Sequence, residues 1–266
     1  MNLQSKRQDM SNQAQKAEAF RKLHVRGKPL VLLNVWDAGS AKAVAAGGAP
    51  AIATGSWSVA AANGFADGEH VPLDLVIGNL ERIVSAVELP VSIDMESGYG
   101  KTPEAAAASI GRTIEAGAVG CNLEDSFPEN GELRDVAVQV ARIRAIRAVA
   151  ERLRVPYFIN ARTDVFFQPK LAHDDAAVAH AAERAKAYAD AGADGLFAPG
   201  LVDEKLIAHL VELSPLPLNI MDTGQAPAWE KLVAAGVARI SHGPAPYRRA
   251  MQVVEELARA ARTRLG

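Results

Sequence analysis

Short, almost continuously apolar runs alternate along the chain with longer stretches in which apolar residues recur every three or four positions. The runs are LVLLNV (Leu30 to Val35), AIATG (Ala51 to Gly55), VSIDM (Val91 to Met95) and VGCNL (Val119 to Leu123). Four more follow: YFINA (Tyr157 to Ala161), GLFAP (Gly195 to Pro199), PLNIM (Pro217 to Met221) and ARISH (Ala238 to His242). Runs of this length without polar alternation predict strands of a parallel sheet covered on both faces. Pro90, Pro156 and Pro217 stand at strand openings, where a missing N–H costs little.

The intervening stretches read as helices. PEAAAASIGRTIEAG has Thr102 as N-cap and Pro103 at the first helical position, and ERIVSAV follows a start at Pro72. VAVQVARIRAIRAVAERL and DDAAVAHAAERAKAYADAG carry the three–four spacing of an amphipathic helix. Helix ends fall at Ala116-Gly117, Ala191-Gly192 and Ala235-Gly236, where glycine suits the left-handed terminus. The N-terminal segment reads as a tail followed by a helix from about Ser11 to Leu23. Eight strand–helix units without a composition break predict a (β/α)8 TIM barrel, which needs roughly 250 residues. A doubly wound sheet is the rival, but no glycine-rich phosphate loop is present for it. We find no linker, so the expectation is one barrel domain over 1–266 with a helical extension over about 1–28.

Composition narrows the function classes. The chain has 266 residues, 29 Lys and Arg against 31 Asp and Glu, and a formal net charge of -2. That balance speaks against a nucleic-acid partner, whose phosphates call for a basic surface. No stretch approaches the ~20 apolar residues of a membrane span. The N-terminus lacks the apolar core of a signal peptide. The lone Cys121 cannot form an intrachain disulfide and points to a reducing compartment. The expected location is therefore cytoplasmic.

In a barrel, polar residues at strand C-termini form the active-site face. That rule selects Asn34, Trp36 and Asp37 from the first strand, and Thr54, Gly55, Ser56 and Trp57 from the second. The third gives Asp94 and Glu96, the fourth Asn122, Glu124 and Asp125, and the fifth Asn160, Arg162 and Asp164. Asn219 ends the seventh, and Ser241 and His242 the eighth. A carboxylate cluster of this density repels itself unless a cation or protons neutralise it. Asp94, Glu96 and Glu124 offer an all-oxygen site suited to Mg2+ or Mn2+. Of the six histidines only His242 falls at a strand end, which disfavours a zinc site. No strand-end lysine is available for Schiff-base chemistry. Asp37 reads as a helix cap, and Cys121 as a small buried hydrophobe.

Taken in order, NVWDAGSAKAV, GFADGE, IDMESGYG, NLEDS, NARTDVF, AGADGLFAPG, PLNIM and GVARISHG resemble the isocitrate lyase/phosphoenolpyruvate mutase superfamily, from about Leu32 to Gly243. The resemblance implies a Mg2+ (or Mn2+) that binds a 2-oxo acid or its enolate. It makes Asp94 the direct metal ligand and Glu96 a second acid, usually aspartate in the family. Asp67 and Glu124 would hold metal-bound waters. Gly55, Ser56 and Trp57 match backbone donors to the substrate, Arg162 grips its carboxylate, and Asn219 falls in a substrate-touching position. It also implies a homo-oligomer, a tetramer or dimer, with the final helix (Pro244 to Leu265) exchanged between subunits.

The departures matter as much. Family lyases carry Lys, Cys, Gly and His in the loop after the fourth strand, and mutases a lysine. Here that loop is SFPENGELRD, Ser126 to Asp135, with none of the reactive side chains. Cys121 lies before Glu124, in the wrong place, and Ala198-Pro199-Gly200 replaces a histidine that some mutases use. By location His242 becomes the candidate acid/base, with Ser126, Glu129 and Glu132 on a mobile loop behind it. The expected activity is a Mg-dependent carbon–carbon lyase on a small oxo or hydroxy carboxylate, with Arg162, Glu124 and His242 as its catalytic groups. Alternatives are an oxo-acid decarboxylase or hydrolase, a phosphonomutase, and a non-catalytic 2-oxo acid binder.

Overall fold

The computed structural model describes residues 3–263. Every predicted run forms strand. The first is split into β1 (Leu30–Leu32) and β2 (Asn34–Val35), and the others are β3 (Ile52–Thr54), β4 (Val91–Asp94), β5 (Gly120–Glu124), β6 (Phe158–Arg162), β7 (Gly195–Phe197), β8 (Leu218–Met221) and β9 (Arg239–Ser241). All pairings are parallel, in the order β1-β9-β8-β7-β6-β5-β4-β3-β2. Because β1 and β2 are two halves of one run, pairing with β9 and β3 respectively, that run joins both ends of the sheet. Eight chain runs thus make a (β/α)8 barrel.

The helices are α1 (Leu3–Lys22), α2 (Ala38–Ala46), α3 (Ser56–Ala62), α4 (Leu73–Ala86), α5 (Pro103–Glu115), α6 (Val136–Arg152), α7 (Asp175–Asp190), α8 (Glu204–Leu213), α9 (Trp229–Ala234) and α10 (Ala245–Thr263). The capping signals act as anticipated. Thr102 Oγ1 accepts from Ala105 N at 3.2 Å, and Asp37 forms a capping box with Ser40 on α2. Gly117, Gly192 and Gly236 take positive φ after their helices. Helix α1 starts at Leu3, well before the expected Ser11, and the short α3 has no counterpart in the apolar pattern. Among the described residues no helix is long and apolar enough to cross a membrane.

Helix α1 closes the N-terminal mouth of the barrel. Phe20 is fully buried, its ring centroid 5.5 Å from that of Phe158 at the start of β6, and His24 stacks on the same ring at 4.1 Å. The opposite mouth carries the strand C-termini. Between them the bore is polar: Ser92, Asn122, Asn160, Asn219, Arg239 and Ser241 are all buried. Barrels usually fill this space with branched aliphatic residues, and polar groups belong there only when they are bonded. Asn160 Nδ2 donates to Asn122 Oδ1 at 2.9 Å as part of that bonding.

Candidate active site

The acidic strand ends of β4 and β5 meet at the C-terminal mouth, and each has a different partner. Asp94 Oδ2 accepts the Ser56 backbone N–H at 3.1 Å, and the Asp94 N–H donates to Thr54 Oγ1 at 2.9 Å. Asp94 Oδ1 is buried and has no hydrogen-bond partner. A buried carboxylate oxygen without a donor is costly, and this one stands unpartnered at the mouth.

Glu96 is occupied differently. Its Oε2 accepts two backbone N–H groups, of Gly68 and Glu69, both at 2.7 Å, and its Oε1 accepts the Tyr99 hydroxyl at 3.1 Å. Glu69 returns the grip: its Oε1 accepts Ser97 Oγ at 2.7 Å and the Tyr99 N–H at 2.8 Å. Two glutamates thus clasp the loop that carries Asp67 to the loop that follows β4. Glu69, Glu96 and Tyr99 all take positive φ, at 61°, 48° and 52°. Side chains pay for that conformation, and these bonds hold it. In the same loop a Cβ on Gly100 would lie 2.4 Å from Ala106 N, so only glycine fits there.

Arg162 sits between two carboxylates. Its Nη1 donates to Glu124 Oε1 and its Nε to Asp164 Oδ1 at 2.6 Å, with the rings of Phe167 and Phe197 beside the guanidinium. Among the described residues Nη2 has no partner, so one edge of the fork remains for a ligand. Ser126 Oγ donates to the other oxygen of Asp164. Asp125 serves the scaffold: fully buried, it accepts from Arg184 Nη1 at 3.0 Å and the Tyr188 hydroxyl at 2.8 Å. The cluster is strained electrostatically. Burial pushes the Glu124 carboxyl up, with Arg162 pulling it down. Burial and the Asp94 charge raise Asp67. Burial, then Asp67 and Asp94, push Glu96 up to about 7.

That last shift makes a prediction. Between the ordinary value of 4.5 and about 7 the native state holds more protons at Glu96 than the unfolded chain does, so stability falls as pH rises through this window. Thermal melts in a chelator are expected to give a lower Tm at pH 7.5 than at pH 5. Glu96→Gln is expected to flatten that slope. Equal slopes for the two proteins would contradict the assignment.

The other expected residues are placed as follows. Gly55 caps α3 without a side-chain bond, and Ser56 N is the group that reaches Asp94. Trp57 and Trp36 pack around Tyr247, with Arg248 lying 4.6 Å from the Trp57 ring, so both tryptophans seat the start of α10. Asn219 is buried, with Oδ1 accepting from Ser241 Oγ at 3.2 Å and Nδ2 unpartnered. His242 rests its Nδ1 3.1 Å from the Leu32 carbonyl and meets Trp229 edge-on. Among the described residues it makes no hydrogen bond to the acidic cluster. The loop after β5, expected to be mobile, is a small hairpin: Ser126 pairs with Leu133, and Arg134 donates to the Ser126 carbonyl and covers the Phe127 ring at 4.4 Å. Ser126 is buried at its base. The sequence pattern did not single out Glu69, although GFADGE contains it. Cys121 is buried in the barrel wall, its thiol pushed up to about 12 by that burial.

Known proteins share this fold. The sequence profile of the family described as phosphoenolpyruvate phosphomutase matches residues 20–262. The chain belongs to this family. It is an enzyme of the isocitrate lyase/phosphoenolpyruvate mutase superfamily. The 2-methylisocitrate lyase of Escherichia coli is 29% identical over 252 residues, covering 90% of this chain and 82% of that one. A solved Burkholderia cenocepacia structure bearing the name "putative phosphonomutase" is 55% identical with a TM-score of 0.91, covering 94% of this chain and 99% of that one. A phosphonopyruvate hydrolase, solved with oxalate and Mg2+, shares the fold at 22% identity and a TM-score of 0.83, over 94% and 88% of the two chains.

Proposed function

We propose that the protein is a Mg2+-dependent carbon–carbon lyase acting on a small 2-oxo or 2-hydroxy carboxylate. The observation that carries this reading is the buried, donorless Asp94 Oδ1, placed on the strand neighbouring the one whose Glu124 pairs with Arg162. Among the described residues no three His, Cys, Asp or Glu side chains form a closed metal-ligand set. A closed set of His and Cys would suit zinc. Mg2+ takes one or two carboxylates and keeps several waters, and one open aspartate oxygen beside further acids fits it.

In this reading Asp94 holds the metal, while Asp67 and Glu124 hold waters around it. Glu96 and Glu69 keep the Asp67 loop in place. When bound, the cation supplies Lewis-acid stabilisation of negative charge on the oxo-acid oxygen. Arg162, held by Glu124 and Asp164, presents Nη2 to the substrate carboxylate. Asn219 offers its free Nδ2, and the start of α3 offers the backbone N–H of Trp57, those of Gly55 and Ser56 being held by the Val35 carbonyl and Asp94. The relation to an E. coli 2-methylisocitrate lyase and the oxalate and Mg2+ of the phosphonopyruvate hydrolase support the substrate class and the metal. The loop residue joined to the site's charges is Ser126, through Asp164, and the hairpin has no Cys, Lys or His. That observation favours a second reading, in which water delivers the proton and the net reaction is hydrolysis or decarboxylation of an oxo acid.

¹H NMR of a panel of substituted malates, citrate-like acids and oxaloacetate with enzyme and Mg2+ tests the reading. A lyase is expected to give a 2-oxo acid and a second carboxylate whose carbons sum to those of the substrate, and the second reading loss of CO2 or addition of water. Tight binding of an oxo acid without turnover across the panel would make the protein a binder instead.

The assembly is part of the proposal. Helix α10 packs Tyr247 on Trp36 and Trp57 and buries no residue fully in its own chain, yet Met251, Val254 and Leu257 recur at helical spacing, with Val254 57% and Leu257 66% exposed. An amphipathic helix of this length needs a partner for its apolar stripe, and a second copy of the chain supplies one. Light scattering after gel filtration is expected to show a dimer or tetramer, and the double substitution Val254→Glu, Leu257→Glu to give monomers. An oligomer that survives both changes would contradict the exchange of α10.

A further inference from the structure

Arg239 is fully buried in the bore of the barrel, and among the described residues no carboxylate pairs with it. Its Nε donates to Ser241 Oγ at 3.1 Å, its Nη2 donates to Asn122 Oδ1 at 3.4 Å, and its Nη1 has no partner. In the sheet order β9 and β5 are separated by β8, β7 and β6, so the side chain crosses the bore. Asn122 is the register partner of Asp94. The guanidinium therefore lies on the Asp94 side of the bore, near enough for the Asp94 charge to act on it.

A bare buried cation is expensive to keep. Burial draws its pKa down to about 10, which leaves it charged at neutral pH. A scaffold alone would be better served by the aliphatic side chains usual in barrel bores. The charge also sets a direction. Arg239 can only donate, so Ser241 Oγ accepts from it and spends its own proton on Asn219 Oδ1 at 3.2 Å. The amide of Asn219 is thereby turned so that Nδ2 is the free end.

We propose that Arg239 is a positioning residue for the substrate anion: it orients Asn219 through Ser241 and places a fixed positive charge near an otherwise acidic metal site. The inference rests on the metal-dependent oxo-acid reading and deepens it. A cation there opposes the metal and favours the anion, so its removal moves the two affinities in opposite directions. A filler residue would not do this.

Arg239→Gln keeps an amide donor at the place of Nε for Ser241 and removes the charge, whereas Arg239→Lys retains the charge. Calorimetric titrations with Mn2+ alone, and with oxalate on the Mg2+-loaded protein, read both arms. For Arg239→Gln we expect oxalate affinity to fall about tenfold or more while Mn2+ affinity rises. Arg239→Lys is expected to hold oxalate within about threefold of wild type. Unchanged oxalate binding in Arg239→Gln, or equal losses in both arms, would overturn the role of Arg239 alone. A wild type that binds neither ligand would overturn the metal–oxo-acid reading itself. If Arg239→Gln does not fold, a wild-type structure with Mg2+ and oxalate decides. Asn219 Nδ2 on the oxalate, with Arg239 still held by Ser241 and Asn122, supports the role; a carboxylate paired with Arg239 refutes it.

Discussion

Asp94→Ala is expected to remove Mg2+-dependent turnover, by about a thousandfold or more in kcat/KM, which corresponds to roughly 4 kcal/mol of lost stabilisation. Asp94 Oδ2 is engaged by Ser56 N and Oδ1 is left open, and among the described residues no other carboxylate has a buried oxygen without a partner. The same substitution should not destabilise the metal-free fold. Removing a buried carboxylate oxygen that has no donor relieves a desolvation cost, and active-site residues commonly oppose stability in this way. The expected pair of results is activity lost and Tm in chelator equal to or above wild type, checked by ¹H NMR turnover and thermal melts. A variant that turns over equally with and without metal would mean that Asp94 does not hold it. A variant that loses activity only because it unfolds would remove the mutation's value as a site test.

Arg162→Lys is the second large effect. The guanidinium divides its donors among Asp164 through Nε, Glu124 through Nη1 and the open mouth through Nη2. An ammonium is a single point and cannot hold both acids while facing a ligand. We expect kcat/KM to fall by about a hundredfold or more, mainly through KM, because the carboxylate grip binds ground and transition states alike. Arg162→Ala should also cost about 3 kcal/mol of stability, since Glu124 and Asp164 then remain as unpaired carboxylates in a buried setting. Steady-state kinetics beside chemical denaturation separates the two losses. An unchanged KM in Arg162→Lys would place the substrate carboxylate elsewhere.

The barrel was legible because its signals are local. Each strand is an unbroken apolar run ended by polar residues, each main helix carries its own period, and Thr102, Asp37 and Gly117 cap as their types dictate. The ends of β4, β5 and β6 therefore gave Asp94, Glu124 and Arg162 without any contact being known. What sequence could not give is who faces whom after closure. Arg239 reads as one more residue of a strand, and only the closed sheet brings it from β9 to Asn122 on β5. Glu69 lies in a stretch with no periodicity, and its clasp with Glu96 depends on two non-glycine residues at positive φ. Trp36 and Trp57 stand at strand ends by position, but the packing of Tyr247 turns them toward α10. Nothing in the pattern of the loop after β5 announces its hairpin, which Arg134 makes by reaching back to the Ser126 carbonyl and over the Phe127 ring.

Titrating oxalate into the protein with and without Mg2+ tests the central claim most directly. If Asp94 holds a cation that shares the anion with Arg162, oxalate binds the Mg2+-loaded protein and binds at least about tenfold more weakly in chelator, by thermodynamic linkage. Oxalate affinity that is the same with and without Mg2+ would contradict the account.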